Sequence, residues 1–114
     1  MLIVDLDDTL IGLDLRISPA NVRAIRQVMR AGILTTIATG RTFQTTQPFA
    51  QKLGITLPLI CYNGALVRTE NKVYIERMLP EQFYHPLIQF AARHRLQICF
   101  YVSHHNVIYF NRPL

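Results

Sequence analysis

The stretch that decides the fold is the first ten residues, Met1-Leu2-Ile3-Val4-Asp5-Leu6-Asp7-Asp8-Thr9-Leu10. A short unbroken apolar run of this kind is typical of a strand that is covered on both faces, as in parallel α/β sheets. Side chains two apart along a strand point the same way, so Asp5 and Asp7 should project together from its end. Ligand sites in such sheets lie beyond the carboxyl ends of the strands. The stretch therefore indicates a candidate site at these two acids.

Two other interpretations apply to the same stretch. Asp and Thr after a strand also form Asx-turns, and the stretch alone leaves that interpretation open. A calcium loop is excluded. Counted from Asp5, Leu10 occupies the position that needs Gly, and Arg16 occupies the position that needs a bidentate Glu.

Composition limits the class of protein and the kind of partner. The chain has 114 residues, of which 50% are hydrophobic and 17% charged, which is enough for a globular domain. Its net charge of +5 would suit nucleic acid, but the basic residues are scattered and all the aspartates lie at or before Asp14. A basic surround facing an acidic pocket suits an anionic substrate held by a metal. We expect neither a nucleic-acid partner nor a membrane segment.

The cysteines and the helix signals add two further predictions. Cys61 and Cys99 fall in apolar, strand-like runs, which predicts reduced thiols and, with them, a cytoplasmic location. Ser18-Pro19 predicts the start of a helix that ends at Gly32, because Ser is a good N-cap and Pro suits the first helical position. A second helix is predicted from Thr42 to Leu53.

Strands are predicted between and after these helices, over residues 33–38 and 59–62. The order strand, helix, strand, helix, strand predicts right-handed crossovers and a parallel sheet. Each strand ends in polar residues, which places Asp5, Thr39 and Asn63 along one rim of that sheet.

From residue 65 the pattern changes to α+β. It predicts a hairpin, a helix and a second apolar pair of strands, over residues 65–77, 80–95 and 96–110. We therefore expect one domain over residues 1–64 and the beginning of another over residues 65–114.

These motifs resemble those of the haloacid dehalogenase superfamily of phosphohydrolases, specifically its Cof-type members with a large α+β cap of type IIB. The first family motif, D-x-D-x-T, is present as Asp5-Leu6-Asp7-Asp8-Thr9, and the second as Thr39 within Ala38-Thr39-Gly40-Arg41. The exit from core to cap is present as Asn63-Gly64-Ala65. The resemblance implies an α/β fold in which a Rossmann-like parallel core, with three strands and two helices present, is followed by the start of an α+β cap. Residues 1–64 would be the N-terminal half of the catalytic core, and residues 65–114 a truncated cap.

The activity that the resemblance implies is a phosphatase that cleaves phosphate monoesters of small metabolites, sugar phosphates above all, with Mg²⁺ and through an aspartyl-phosphate. Asp5 would be the nucleophile and, with the backbone carbonyl of Asp7, a ligand of Mg²⁺. Asp7 would donate a proton to the leaving oxygen and later take one from water. The residues expected to contact the phosphate or the substrate are Thr39, Gly40, Arg41 and Asn63.

Two motifs that the family carries after the cap are missing from this chain. The family has a later lysine and a later pair of acids, but no aspartate follows Asp14, and Lys52 and Lys72 lie in the second helix and the hairpin. We therefore expect an incomplete N-terminal portion with turnover near background. An alternative is a catalytically inactive chain that acts as an interaction or oligomerising module through its exposed sheet edge. A phosphoacceptor domain is a third interpretation, but it leaves the exit at Asn63-Gly64 unexplained.

Overall fold

Strands and helices alternate over the first half of the chain, as predicted. The computed structural model describes residues 1–102 and 107–110. The elements are β1 (Leu2–Val4), α1 (Pro19–Arg30), β2 (Thr35–Ile37), α2 (Phe43–Leu53), β3 (Leu59–Cys61), β4 (Leu66–Arg68), β5 (Val73–Glu76), α3 (Tyr84–Arg93), β6 (Cys99–Val102) and β7 (Val107–Phe110). Short 3₁₀ turns lie at Tyr62–Gly64 and Glu81–Phe83. The predicted mixed α/β fold with parallel strands is confirmed.

Residues 1–76 form one compact unit. In its sheet β1 and β2 are parallel, with Leu2 opposite Thr35 and Val4 opposite Ile37. A single parallel bridge between Ala38 and Ile60 connects the end of β2 to β3. On its other side β3 pairs antiparallel with β4, which in turn pairs with β5. The hairpin predicted after residue 64 therefore extends the sheet of the first unit.

Both helices of the first unit begin with a side-chain cap, and the one at Ser18 was predicted. Ser18 Oγ accepts a hydrogen bond from the backbone N–H of Asn21 at 3.1 Å, and Thr42 Oγ1 accepts one from Thr45 at 3.1 Å. Helix α2 ends at Gly54, whose φ of +84° lies in the left-handed region that glycine adopts without strain. The helix continues through Pro48 even though proline removes a hydrogen bond there.

The core of the first unit lies between the sheet and its helices. The fully buried residues of this core include Leu6, Ile37, Leu53 and Cys61. The prediction that β1 is covered on both faces is wrong for the described residues. Ile3 is 51% exposed, so its face of β1 is not covered within the first unit.

The second compact unit is built from residues 77–114. Strands β6 and β7 form an antiparallel hairpin, and α3 precedes them. His104 and His105, which follow β6 in the sequence, lie outside the described residues. On the apolar face of α3, Ala91 is buried, but Leu87 and Phe90 are 37% and 54% exposed. One helix and one hairpin offer too little surface to cover that face.

The compact units do not divide the chain at the predicted boundary after residue 64, because β4 pairs with β3 and so belongs with the first unit. The assignment of residues 1–64 to a catalytic core and 65–114 to a cap stays a prediction. No helix within the described ranges is both long and apolar enough to span a membrane.

Candidate active site

Main-chain hydrogen bonds bring the ends of β1, β2 and β3 to one level. The N–H of Ala38 donates to the carbonyl of Val4 at 3.0 Å, and the N–H of Thr39 donates to the carbonyl of Ile60 at 2.9 Å. Beyond the strands, the N–H of Asn63 donates to the carbonyl of Thr39 at 3.1 Å. The residue after Val4 is Asp5, so the acidic stretch, Thr39 and Asn63 follow three neighbouring strand ends.

The first loop directs its two acids outward by burying the residue between them. Leu6 is fully buried, and its carbonyl accepts hydrogen bonds from the N–H groups of Leu10 and Ile11 at 3.0 and 2.9 Å, which closes the loop. Asp5 is exposed, and its Oδ1 accepts from the N–H of Leu6 at 2.8 Å. An Asx-turn would instead require a bond to the N–H two residues on. The structure therefore favours a loop that presents Asp5 over one in which Asp5 serves as a turn residue.

Three hydrogen bonds join Asp7 to Arg41 at the rim. Arg41 Nε donates to both carboxylate oxygens, at 3.1 and 2.8 Å, and Nη2 donates to Oδ1 at 2.6 Å. The two side chains are 46% and 25% exposed. The hydrogen bonds from Arg41, together with its positive charge, hold the pKa of Asp7 below its usual range, although partial burial acts in the opposite direction. For Asp7 to carry a proton, as the resemblance implies, this pair has to separate.

Sequence reasoning missed that pair. It assigned Arg41 to the phosphate or substrate, whereas the structure places its guanidinium on Asp7, 34 positions away. The only signal available was general, since arginine forms two-pronged hydrogen bonds with carboxylates wherever the fold brings them together. The sequence alone did not reveal how far the side chain reaches across the rim.

Residues 39 to 41 form a turn that is fixed from both sides. Thr39 is buried, and its Oγ1 accepts a hydrogen bond from the N–H of Arg41 at 3.2 Å. The carbonyl of Arg41 accepts from the N–H of Tyr62 at 3.1 Å. Thr39 still has its hydroxyl proton available for an acceptor such as a phosphoryl oxygen.

Gly40 lies directly against the side chain of Asn63. A Cβ atom at position 40 would be 3.1 Å from Asn63 Oδ1 and 3.6 Å from its Cγ and Nδ2. Asn63 itself has a φ of +53°, in the left-handed region that asparagine tolerates better than most residues. The absence of a side chain at Gly40 is thus what lets the side chain of Asn63 lie against the end of β2.

The donor set at this rim fits Mg²⁺ only as part of a coordination shell. Mg²⁺ prefers hard oxygen ligands, keeps several waters, and is often held by one or two carboxylates together with substrate phosphate. Asp5 offers an exposed carboxylate, and the carbonyl of Asp7 is close to it in the chain. Within residues 1–102 and 107–110, no group of three or more His, Cys, Asp or Glu side chains could by itself hold a metal ion. Water and phosphate would have to supply the remaining ligands.

A cavity of about 750 Å³ lies beside this site and not within it. It is lined by the later part of the first loop, residues 8–14 and 16–18, by Pro19 and Asn21 of α1, and by Lys52. Neither Asp5 nor Thr39 lines it. This cavity is therefore a separate feature from the rim at Asp5 and Thr39.

The sequence model of the haloacid dehalogenase-like hydrolase family matches residues 2–113 of the chain. The chain belongs to this family. One curated relative is the 5-amino-6-(5-phospho-D-ribitylamino)uracil phosphatase YcsE of Bacillus subtilis (strain 168). It is 34% identical over 79 residues, which cover 69% of this chain and 32% of the relative. The haloacid dehalogenase-like chain spans about a third of the length of the curated relatives it matches.

Solved structures of the superfamily share the fold of this haloacid dehalogenase-like chain. A haloalkanoate-superfamily phosphatase from Bacteroides thetaiotaomicron is similar with a TM-score of 0.84 and 22% identity, over 99% of this chain and 41% of that one. A sugar phosphatase of subclass IIB is similar with a TM-score of 0.78 and 24% identity, over 96% of this chain and 42% of that one. At these identities the likeness establishes the fold alone. The predicted family is confirmed by the match over residues 2–113.

Proposed function

We propose that the chain carries the nucleophile and phosphate-binding part of a Mg²⁺-dependent phosphatase that acts on phosphate monoesters of small metabolites. The observation that carries the proposal is the meeting of Asp5 and Asp7 with the turn at Thr39 and with Asn63 beyond three adjacent strand ends. Two acids, a hydroxyl, backbone amides and a side-chain amide at one open rim are the groups that such a reaction needs.

In the first step a carboxylate oxygen of Asp5 attacks phosphorus. The bond between phosphorus and the ester oxygen breaks as the new bond to Asp5 forms, and Asp7 donates a proton to the leaving oxygen. Water then attacks the phosphorus of the aspartyl-phosphate and gives its proton to Asp7. Inorganic phosphate leaves, and the carboxylate of Asp5 is restored. Bound Mg²⁺, held by Asp5 and the carbonyl of Asp7, would reduce the repulsion between the carboxylate and the phosphate.

The phosphoryl oxygens would be held by groups from the two neighbouring strand ends. The hydroxyl of Thr39 and the backbone N–H of Gly40 lie on the β2 side, and the side chain of Asn63 lies on the β3 side, against Gly40. Arg41 is a further donor in the same turn. Donors fixed in advance by the main chain stabilise charge that develops in the transition state without having to reorganise.

Phosphorylated metabolites are the substrate class that the relatives suggest. YcsE is named for a phosphorylated ribitylamino compound, and one structural relative is a sugar phosphatase. We propose the same substrate class, and sugar phosphates in particular, for this protein. We also propose a cytoplasmic location on the basis of its free thiols, Cys61 and Cys99.

The experiment that tests this function follows the phosphoryl group. The chain is incubated with acetyl phosphate or p-nitrophenyl phosphate, with and without Mg²⁺, and phosphate release and intact mass are both measured. We expect one phosphoryl group on Asp5, dependent on Mg²⁺ and absent from Asp5→Asn. Asp7→Asn should accumulate the adduct, because the attacking water then lacks its proton acceptor. Failure to form any adduct, or equal adduct in Asp5→Asn, would refute the proposal.

A second candidate function is self-association, which the exposure of β1 favours. Within the described part of the chain β1 pairs with β2 alone, and Ile3 exposes 51% of its surface. Unpaired strand edges promote pairing with another chain, and a lysine on such a strand opposes it. We expect concentration-dependent dimers in sedimentation velocity, weakened in Ile3→Lys. Leu13→Lys, at a loop position that is 99% exposed, is the control. A monomer at all concentrations would contradict this expectation.

A further inference from the structure

The position of Arg41 is determined by contacts that do not involve Asp7. Its backbone N–H is bonded to Thr39 Oγ1, and its carbonyl accepts from Tyr62. Its guanidinium carbon lies 5.6 Å from the centre of the Phe49 ring. These contacts hold the backbone of Arg41 at the rim and set its guanidinium beside Phe49.

From this position Arg41 covers both carboxylate oxygens of Asp7. Three hydrogen bonds of 2.6 to 3.1 Å leave neither oxygen without a strong donor. In this arrangement Asp7 is engaged with an arginine and not with a leaving group. The same guanidinium, with its planar set of donors, binds a phosphate as readily as it binds a carboxylate.

We propose that Arg41 is a positioning residue that exchanges partners, holding Asp7 when no phosphate is bound and the phosphoryl oxygens when phosphate is present. Binding of the phosphate thereby frees Asp7 to face the leaving oxygen. The exchange is feasible because the pair is partly exposed, at 46% and 25%, and partly exposed ion pairs are weak. This inference rests on the proposed phosphatase function. A purely structural role, in which the pair persists when phosphate binds, is the alternative.

The test measures binding of inorganic phosphate, in the presence of Mg²⁺, by isothermal titration calorimetry. If Asp7 competes with phosphate for Arg41, Asp7→Asn should bind phosphate about threefold more tightly than a variant with the same change in charge elsewhere. Asp8→Asn is that control, because Asp8 is adjacent and exposed, and Asn tolerates its φ of +56°. Arg41→Gln should weaken binding about tenfold or more.

The double variant isolates the competition from the change in net charge. In an Arg41→Gln background, Asp7→Asn and Asp8→Asn should bind phosphate equally, because the shared partner is gone. Arg41→Lys provides a second background that keeps the charge but not the two-pronged geometry, in case the Gln variant does not fold. In ¹⁵N spectra of the wild-type chain, the Nε–H signal of Arg41 should shift when phosphate is added, and a persistent structural pair would leave it in place.

The outcomes separate this inference from the proposed function. If phosphate binding needs Arg41 but Asp7→Asn and Asp8→Asn bind equally, the exchange is refuted and the phosphatase proposal stands. A difference between those two variants that persists without Arg41 also refutes the exchange. If neither the wild-type chain nor any variant binds phosphate, both proposals are refuted.

Discussion

The close approach of Gly40 to Asn63 can be tested with a single methyl group. A Cβ atom at position 40 would lie 3.1 Å from Asn63 Oδ1, a few tenths of an ångström nearer than an ordinary contact. The backbone of Asn63 is held by its bond to the carbonyl of Thr39, but its side chain is exposed. In Gly40→Ala, therefore, we expect the asparagine side chain to turn away while the two strand ends remain in place.

The expected change in stability is small, because two effects oppose each other. Gly40 is outside the positive-φ region, so alanine fits its backbone and reduces the freedom of the unfolded chain, which stabilises the fold by about 0.4–1 kcal/mol. The displaced side chain costs a similar amount, so the free energy of unfolding should change by less than about 1 kcal/mol. Phosphate binding should suffer more. One lost hydrogen bond to a charged group is worth about 1.5–3 kcal/mol, which weakens affinity about tenfold to a hundredfold.

Urea unfolding followed by circular dichroism measures the first quantity, and titration with inorganic phosphate measures the second. Gly12→Ala is the matched control, since its added Cβ would meet Asp14 Oδ1 at an ordinary 3.7 Å. In an Asn63→Ala background the methyl at position 40 should have little further effect on binding. Wild-type affinity in Gly40→Ala, or the same loss with and without Asn63, would show that this contact does not shape a phosphate site.

Two further predictions concern the core. Leu6→Ala and Leu53→Ala each remove a fully buried side chain and should lower the free energy of unfolding in urea titrations by about 2–5 kcal/mol. Because Leu6 lies between the two acids, only Leu6→Ala should also weaken phosphate binding, and equal weakening in both variants would contradict this expectation. Burial raises the pKa of the Cys61 thiol to about 11, so the folded chain holds that proton more tightly than the unfolded chain does. The contribution of the Cys61 thiol to stability should be complete below about pH 9 and decline towards pH 11. The difference in urea midpoint between wild type and Cys61→Val should therefore stay constant below about pH 9 and fall between about pH 9 and pH 11.

The features that could be predicted from the sequence depend on short stretches of chain. The serine cap at Ser18 fixed the start of α1, since a cap bonds within its own first turn, and the second helix was predicted over nearly the residues that α2 occupies. The order of strands followed from alternation, because parallel strands need a crossover between them. The placement of Asp5 at a strand end followed in the same way.

The features that could not be predicted depend on which surfaces meet across the fold. Nothing near Arg41 in sequence indicates that its guanidinium lies on Asp7, because the contact depends on sheet register and on one side-chain conformation. The exposure of Ile3 and Phe90 was missed for a related reason. An apolar face in the sequence predicts that the face is buried. Whether another element covers that face depends on the rest of the fold, which the face itself does not specify.

The geometry of the candidate site depends more on the register of the strands than on the site residues themselves. Val4 opposite Ile37 sets Asp5 beside the end of β2, and the bridge between Ala38 and Ile60 sets Asn63 beside Thr39. A slip of one residue in either pairing would turn the side chains of that strand to the opposite face. That slip would expose Ile37, which is fully buried, so hydrophobic burial holds the register. The same apolar contacts that stabilise the sheet therefore also fix the distances between groups that would bind phosphate, which is why core substitutions beside the acids should affect binding as well as stability.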